Sequence, residues 1–239
     1  MVSAVLSSFV ARTSPAMRRA CAPLALVLAL ALALGACATP RYFSEEAPPP
    51  PPPAPDMAMV LKDWRGVITP ADRDRYGRRA EAWSHALEQA RRQPGSGDLS
   101  ALGDLIDPAT VLADPQPPTG NYRCRTVKLG SQGGDEGLGY VVYGWFGCRI
   151  DRTPEGLRLS KLTGSQRPEG LLYPEDGRHM VFLGGMALAS EHVAPAYGAQ
   201  EGRNLVGMVE RIGDERWRLV LPWPRNESNL DILELVPAR

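Results

Sequence analysis

The chain has 239 residues, 44% of them apolar, and its 27 basic and 27 acidic side chains give a formal net charge of zero. That even balance speaks against a nucleic-acid partner, which would leave a basic surcharge. The apolar share is enough for one ordinary domain with a sizeable core.

Arg18 and Arg19 precede an apolar stretch, residues 24–36, that runs into Leu34-Gly35-Ala36-Cys37. A positive start, about a dozen apolar residues and a small-residue exit describe a secretory signal. At 13 residues the stretch is shorter than a spanning helix, which needs roughly 20. The tetrapeptide resembles a bacterial lipobox. The resemblance implies cleavage before Cys37, a diacylglyceryl group on its thiol, and acylation of the freed amine. Two or more acyl chains, at about 0.8 kcal/mol per buried methylene, anchor a protein durably. Ala38, standing where an Asp would retain the protein at the inner membrane, implies by analogy with lipoprotein sorting an outer-membrane address. Met17, directly before the arginines, is a more compact start than Met1. A cleaved signal without lipid is the competing reading.

Residues 1–37 hold Arg12, Arg18 and Arg19 and no acid, so the remainder keeps 24 basic against 27 acidic residues, a net charge of −3. Only Lys62, Lys128 and Lys161 are lysine. The arginines are scattered, so genomic base composition explains them better than a phosphate-binding surface. Residues 38–62 carry Pro48 through Pro53 and Pro55, a run that favours polyproline II and reads as a stiff spacer, with a ligand for aromatic grooves as the competing reading. The globular domain is predicted over 63–239, with a helical part at 63–117 and a β part at 118–239.

Thr69-Pro70 opens a long helix, with Pro at the first helical position and Thr pushed into the extended geometry of an N-cap. Asp72, three residues on, reads as the acid of a capping box. Tyr76, Ala80, Trp83, Leu87 and Ala90 recur at helical spacing and predict one docking face. Pro94-Gly95 ends it. His85 falls off that face, toward solvent. A shorter helical piece is predicted over 98–106.

From Gly120 the period changes. Segments 122–129, 138–150, 157–163, 180–183, 205–212, 217–221 and 230–236 are β-rich runs separated by turn residues, which predicts an antiparallel sheet that curls or closes into a small barrel. Trp217, Leu219 and Leu221 alternate with Arg216, Arg218 and Val220, so one face is core. The fold class is therefore α+β, mainly antiparallel β preceded by an amphipathic helix. Cys21 leaves with the signal and Cys37 takes the lipid, so Cys124 and Cys148 remain and should pair in an oxidising compartment. A register placing them opposite each other would pin the first hairpin, and a loop of this size adds roughly 3–4 kcal/mol.

Trp64, Asp72-Arg73-Asp74-Arg75, Tyr122-Arg123-Cys124-Arg125, Trp145-Phe146-Gly147-Cys148-Arg149, Lys161-Leu162-Thr163-Gly164-Ser165-Gln166-Arg167, Val181-Phe182-Leu183-Gly184 and the string from Arg216 to Pro222 resemble an uncharacterised family of predicted proteobacterial lipoproteins. The resemblance covers residues 63–237 and implies a shared domain. That family has no established activity to carry over.

His85, His179 and His192 belong to no H-E-x-x-H arrangement and no G-x-S-x-G elbow. Glu191-His192 is an acid beside a base only in sequence, and Asn226-Glu227-Ser228 reads as a loop. No cofactor and no metal set is predicted. Residues 163–167 form the densest polar string of the β region and offer a hydroxyl, an amide and a guanidinium to an anion; a strand end with its turn is the bland alternative. Tyr122, Tyr140, Tyr143, Trp145, Phe146 and Tyr173 would line a cavity in an incompletely filled barrel, with cross-strand packing as the competing use. The candidate ligand residues are therefore Tyr143, Trp145, Lys161, Ser165, Gln166 and Arg167. The expected protein is a non-enzymatic binding module for a small ligand or an envelope protein, held to a membrane by its lipid. A structural lipoprotein acting through its outer surface and an envelope hydrolase are the alternatives.

Overall fold

The computed structural model describes residues 63–239, so the signal at 1–37, Cys37 and the linker at 38–62 lie outside the described residues. Eight antiparallel strands follow one another in chain order: β1 (Gly120–Leu129), β2 (Tyr140–Thr153), β3 (Gly156–Lys161), β4 (Gln166–Pro174), β5 (His179–Leu188), β6 (Asn204–Gly213), β7 (Arg216–Pro222) and β8 (Leu230–Pro237). Each pairs with the next, and β8 returns to pair with β1 along Tyr122↔Pro237 to Leu129↔Leu230. The sheet is thus a closed up-and-down barrel without edges.

Alternation along the strands sorts the side chains. Leu159 of β3, Phe182 of β5, Val209 of β6, Trp217 and Leu219 of β7 and Leu235 of β8 belong to one buried cluster inside the barrel, where eight strands leave just enough width for side chains to fill. Gly170 and Gly184 face each other between β4 and β5. A Cβ at Gly184 would stand 2.2 Å from the Glu169 carbonyl oxygen and 2.6 Å from Phe182 Cζ, so the wall passes close there only because both side chains are missing. Arg123, Arg149 and Arg158 take outward positions beside the inward Cys124, Cys148 and Leu159. Such charges make this wall unlike a lipid-facing one.

The cystine is present, with Cα atoms of Cys124 and Cys148 5.8 Å apart. Its register differs from the expected one: Cys124 opposes Phe146 and Cys148 opposes Tyr122, so the bridge runs diagonally across β1 and β2 inside the barrel. β4 was not announced by the hydrophobic period. Its start, Gln166-Arg167-Pro168-Glu169-Gly170, has no apolar alternation and contains both residues that usually break strands. Proline is tolerated because the pairing of β3 with β4 ends at Ser160↔Glu169, where no ladder donor is needed from Pro168.

The single predicted helix is two: α1 (Pro70–Gly77) and α2 (Arg79–Arg92), parted at Arg78, whose ψ is 19°. Thr69 caps α1 as expected, its hydroxyl accepting from the Asp72 amide at 3.3 Å. Asp72 does not close a capping box. The Tyr197 hydroxyl sits between, accepting from the Thr69 amide at 3.0 Å and donating to Asp72 at 2.6 Å. Asp72 is fully buried against Arg75, which reaches the carbonyls of Asn204 and Trp223. Burial works against the Asp72 charge, but Tyr197 and Arg75 outweigh it and hold its carboxyl below the usual range.

Two short helices follow a curved wall better than one straight rod. Tyr76 packs with Trp64 and Ile68 over Val181, Val206 and Met208. Trp83, Leu87 and Ala90 pack over Val127, Leu129, Val220 and Ile232, on β1, β7 and β8. Ala80, expected on the same face, is exposed. The shorter helical piece is a 3-10 turn over Ser100–Ile106. It lies over Arg218, which is fully buried on the outer wall, paired with Glu210 at 2.6 Å and donating to the carbonyls of Asp104, Leu105, Asp107 and Thr110. A lone buried guanidinium would cost several kcal/mol; here nearly every donor is answered. Its face also lies 5.0 Å from the Trp83 ring centroid.

Trp83→Ala is expected to lower stability by about 3–5 kcal/mol in denaturant titration, the usual cost of emptying a buried aromatic site. A wild-type midpoint would show that α2 does not dock on the barrel.

Candidate functional site

The barrel is filled with apolar side chains except at one end, and two backbone irregularities shape that end. Past Ser160↔Glu169 the strands β3 and β4 separate, and the Lys161 ammonium donates to the Gln166 carbonyl at 2.8 Å across the gap. On the neighbouring seam, Arg125↔Trp145 is followed by Val127↔Val142, so Tyr143 and Gly144 together oppose Thr126. This bulge re-aims Tyr143 toward the opening.

The result is a mouth of about 140 Å³ lined by Thr126, Lys128, Tyr143, Phe146, Lys161, Ser165, Gln166 and Glu227. A lobe of about 40 Å³ shares Lys128 and Gln166 with it and adds Met186, Leu188 and Leu205 with Arg203 and Arg225. Hollows of about 600 Å³ beside the Ser100–Ile106 turn and about 260 Å³ under residues 193–197 are larger, but neither is lined by a buried charge.

Two of the chain's three lysines meet in this mouth, in opposite electrostatic states. Lys128 is 3.1 Å from Asp231 and 3.1 Å from Glu227, and Asp231 in turn accepts from the Ser228 hydroxyl. Burial works against the charge on Lys128, but the two carboxylates outweigh it and hold its pKa above the ordinary lysine value. Lys161 is 6% exposed and has no carboxylate within 4.0 Å among the described residues. Its ammonium lies 3.8 Å from the Phe146 ring centroid and has the Gln166 carbonyl as its hydrogen-bond acceptor. Burial, with Arg167 and Lys128 nearby, pushes its pKa down to about 8. An ammonium has three donors, so Lys161 retains hydrogen-bonding capacity toward the mouth.

The structure brings four of the six candidate ligand residues together here: Tyr143, Lys161, Ser165 and Gln166. It places Trp145 on the outer wall, where the guanidinium carbons of Arg123 and Arg125 lie 4.6 and 5.0 Å from its ring centroid. Arg167 does not line the mouth, its guanidinium committed to the carbonyls of Gly164, Ala189 and Glu191, but it stays near enough to Lys161 to disfavour that charge. The aromatic set does not share one cavity: Tyr122 packs in the interior, 6.2 Å from Trp217, while Tyr140 and Tyr173 pack in two different outer clusters. Lys128, Asp231 and Glu227 were missed. The scarcity of lysine in an arginine chain and the inward parity of Lys128 with Tyr122 and Cys124 were the signals that would have found the first.

His85, His179 and the Glu191 beside His192 make other contacts. His85 is exposed beside Trp223, 5.9 Å between ring centroids. Glu191 is engaged by the Leu188 amide and by Arg203. His179 lies between Asp176 at 2.9 Å and Glu210 at 3.4 Å. Glu175, Asp176 and His179 are close enough to converge on an ion, but Tyr76 donates to Glu175 at 2.5 Å and Asp176 accepts from the Arg178 and His179 amides, which is the chemistry of a tight turn.

A family model described as "Domain of unknown function (DUF4893)" matches residues 64–235. No curated protein and no solved structure matches the chain.

A lysine whose folded pKa lies below its unfolded value destabilises the fold wherever it is charged; the cost is complete below about 8 and gone above 10.5. Lys161→Met is therefore expected to raise the Tm at pH 7, by an order of 5 °C, and to gain less at pH 10.5. An equal or lower Tm at pH 7 would show that the buried charge is compensated.

Proposed function

Since the chain belongs to the DUF4893 family, a domain of unknown function, we propose from its own residues that it is a lipid-anchored protein of the bacterial cell envelope whose barrel binds a small ligand at the Lys128–Lys161 mouth. The observation that carries the binding reading is the contrast within one closed barrel. Its interior is packed with apolar side chains, yet one end keeps a cavity walled by hydroxyls, an amide and two buried lysines. Folding gains nothing from an uncompensated buried ammonium, so a retained one points to a task other than stability.

The address rests on different residues. The apolar stretch at 24–36 ends at Cys37 behind two arginines, and the prolines that follow would hold the barrel off the membrane surface. The Cys124–Cys148 bridge suits an oxidising compartment and supports export. In this reading lipid fixes the protein, proline spaces it, and the barrel works in the periplasm. The outer membrane is the favoured location because Ala38 follows the lipidated cysteine.

Two measurements test these halves separately. A fatty-acid probe is expected to label the wild-type protein in cells and not Cys37→Ser, which should also leave the membrane fraction; retained labelling would remove the anchor. Amide chemical shifts of the full-length protein in micelles, recorded with acetate, inorganic phosphate, benzamide and glucose in turn, should move around Lys128, Lys161, Gln166 and Glu227 with at least one probe. Shifts confined to the outer wall around Trp145 would transfer the binding surface there and sink the mouth.

A further inference from the structure

The 223–229 loop carries its own carboxylate to the rim of the mouth. Glu227 has a φ of 74°, a left-handed conformation that a non-glycine residue adopts at a cost. Gln132 pins it there, its amide donating to the Glu227 carbonyl at 2.9 Å and its side chain to the carbonyls of Pro224 and Ser228. Despite that investment the Glu227 side chain is 56% exposed and reaches only Lys128, at 3.1 Å, and the Gln166 amide, at 3.4 Å. Lys128 is already answered by Asp231. Lys161, on the same mouth, is not answered by either.

Resting on the mouth as the binding site, we propose that its ligand is a small organic carboxylate, paired with Lys161, and that Glu227 is a built-in competitor that the ligand displaces. The charge order supports this. Lys128 has two carboxylates at 3.1 Å, Asp231 and Glu227, and Lys161 is the cation that touches neither. An incoming carboxylate would meet the Lys161 ammonium and the Gln166 amide, while the rings of Phe146 and Tyr143 border the space for its apolar body. A void near 140 Å³ is of the size that houses a single-ring molecule. Two carboxylates in one mouth repel, and the exposed Glu227 is the one free to withdraw into water.

The groups that face Lys161 set the pH dependence. They are Lys128 from β1, Tyr143 from β2, Arg167 from β4, Glu227 from the rim loop and, through Lys128, Asp231 from β8. Lys128 is held charged well above neutrality by its two carboxylates. Lys161 is thus the group that loses its proton first on the alkaline side, near 8, and carboxylate binding should fade through that range.

Benzoate and benzamide have the same shape and differ in charge, so equilibrium dialysis of both against the full-length protein in micelles reads the class of ligand directly. At pH 6.5 benzoate is expected to bind about tenfold tighter than benzamide, the ratio that about 1.4 kcal/mol represents. At pH 9.5 that preference should shrink severalfold. Lys161→Met should level the two. Glu227→Gln should tighten benzoate about three- to tenfold, with a smaller effect on benzamide, whereas a residue that merely braced the loop would weaken both. Benzamide binding as tightly as benzoate at pH 6.5 would overturn the carboxylate assignment and leave the mouth standing. Weaker benzoate binding by Glu227→Gln would overturn the competitor, and no benzoate binding at all would overturn the whole proposal.

Discussion

Closure of β8 onto β1 is the constraint on which the rest of the molecule depends. With no free edge, inward positions of all eight strands must share one interior, and an interior of that width is filled or it collapses. Leu159, Phe182, Trp217 and Leu219 fill it. The diagonal Cys124–Cys148 bridge belongs to that filling and ties β1 to β2 close to where their pairing bulges. The closed ladder therefore has only its ends to offer for a ligand, and at one of them Pro168 and the bulge at Thr126 relax the pairing.

The outer wall obeys a different rule. Its sectors under α1 and α2 are covered, and covering a wall of a two-faced sheet buries its polar positions as well as its apolar ones. Arg218 and Glu210 are the consequence on the strands, charges that alternation places outside but that the Ser100–Ile106 turn and Trp83 seal from water, and Asp72 with Arg75 on α1 are sealed in the same way against the wall. Each is answered by a charge partner and by backbone carbonyls or a tyrosine hydroxyl, the condition under which a buried ion pair is tolerable. Lys161 breaks that rule. It too is buried but lacks the charge partner, and that exception is what singles out the mouth.

Much of this was legible in the chain. Alternation gave seven of the eight strands, Thr69-Pro70 marked the start of α1, and Cys124 and Cys148 do pair. What stayed hidden was hidden for physical reasons. β4 begins with Pro168 and Gly170, whose usual effect on strands is reversed where a ladder ends and where a facing glycine lets the wall pass close. The break at Arg78 comes from the curvature of a barrel that no local pattern records, and it divides Tyr76 from Trp83 although they are seven residues apart on one helical face. At the mouth, the polar run at 163–167 indicated the right turn and the wrong guanidinium, because Arg167 is spent on carbonyls. Glu227 reads as an ordinary loop acid, and its meaning depends on Lys128 lying opposite, 99 residues away.

The mouth holds a buried cation without a counter-ion beside one that has two. Because lysine occurs at only three positions, nitrogen-15 labelling of lysine side chains in the ligand-free protein resolves them individually as pH is raised. The Lys161 amine is expected to deprotonate near 8 while Lys128 keeps its proton beyond the ordinary lysine range. Lys161 titrating at the ordinary 10.5 would mean that its charge is already satisfied, and the mouth would lose its reason to bind.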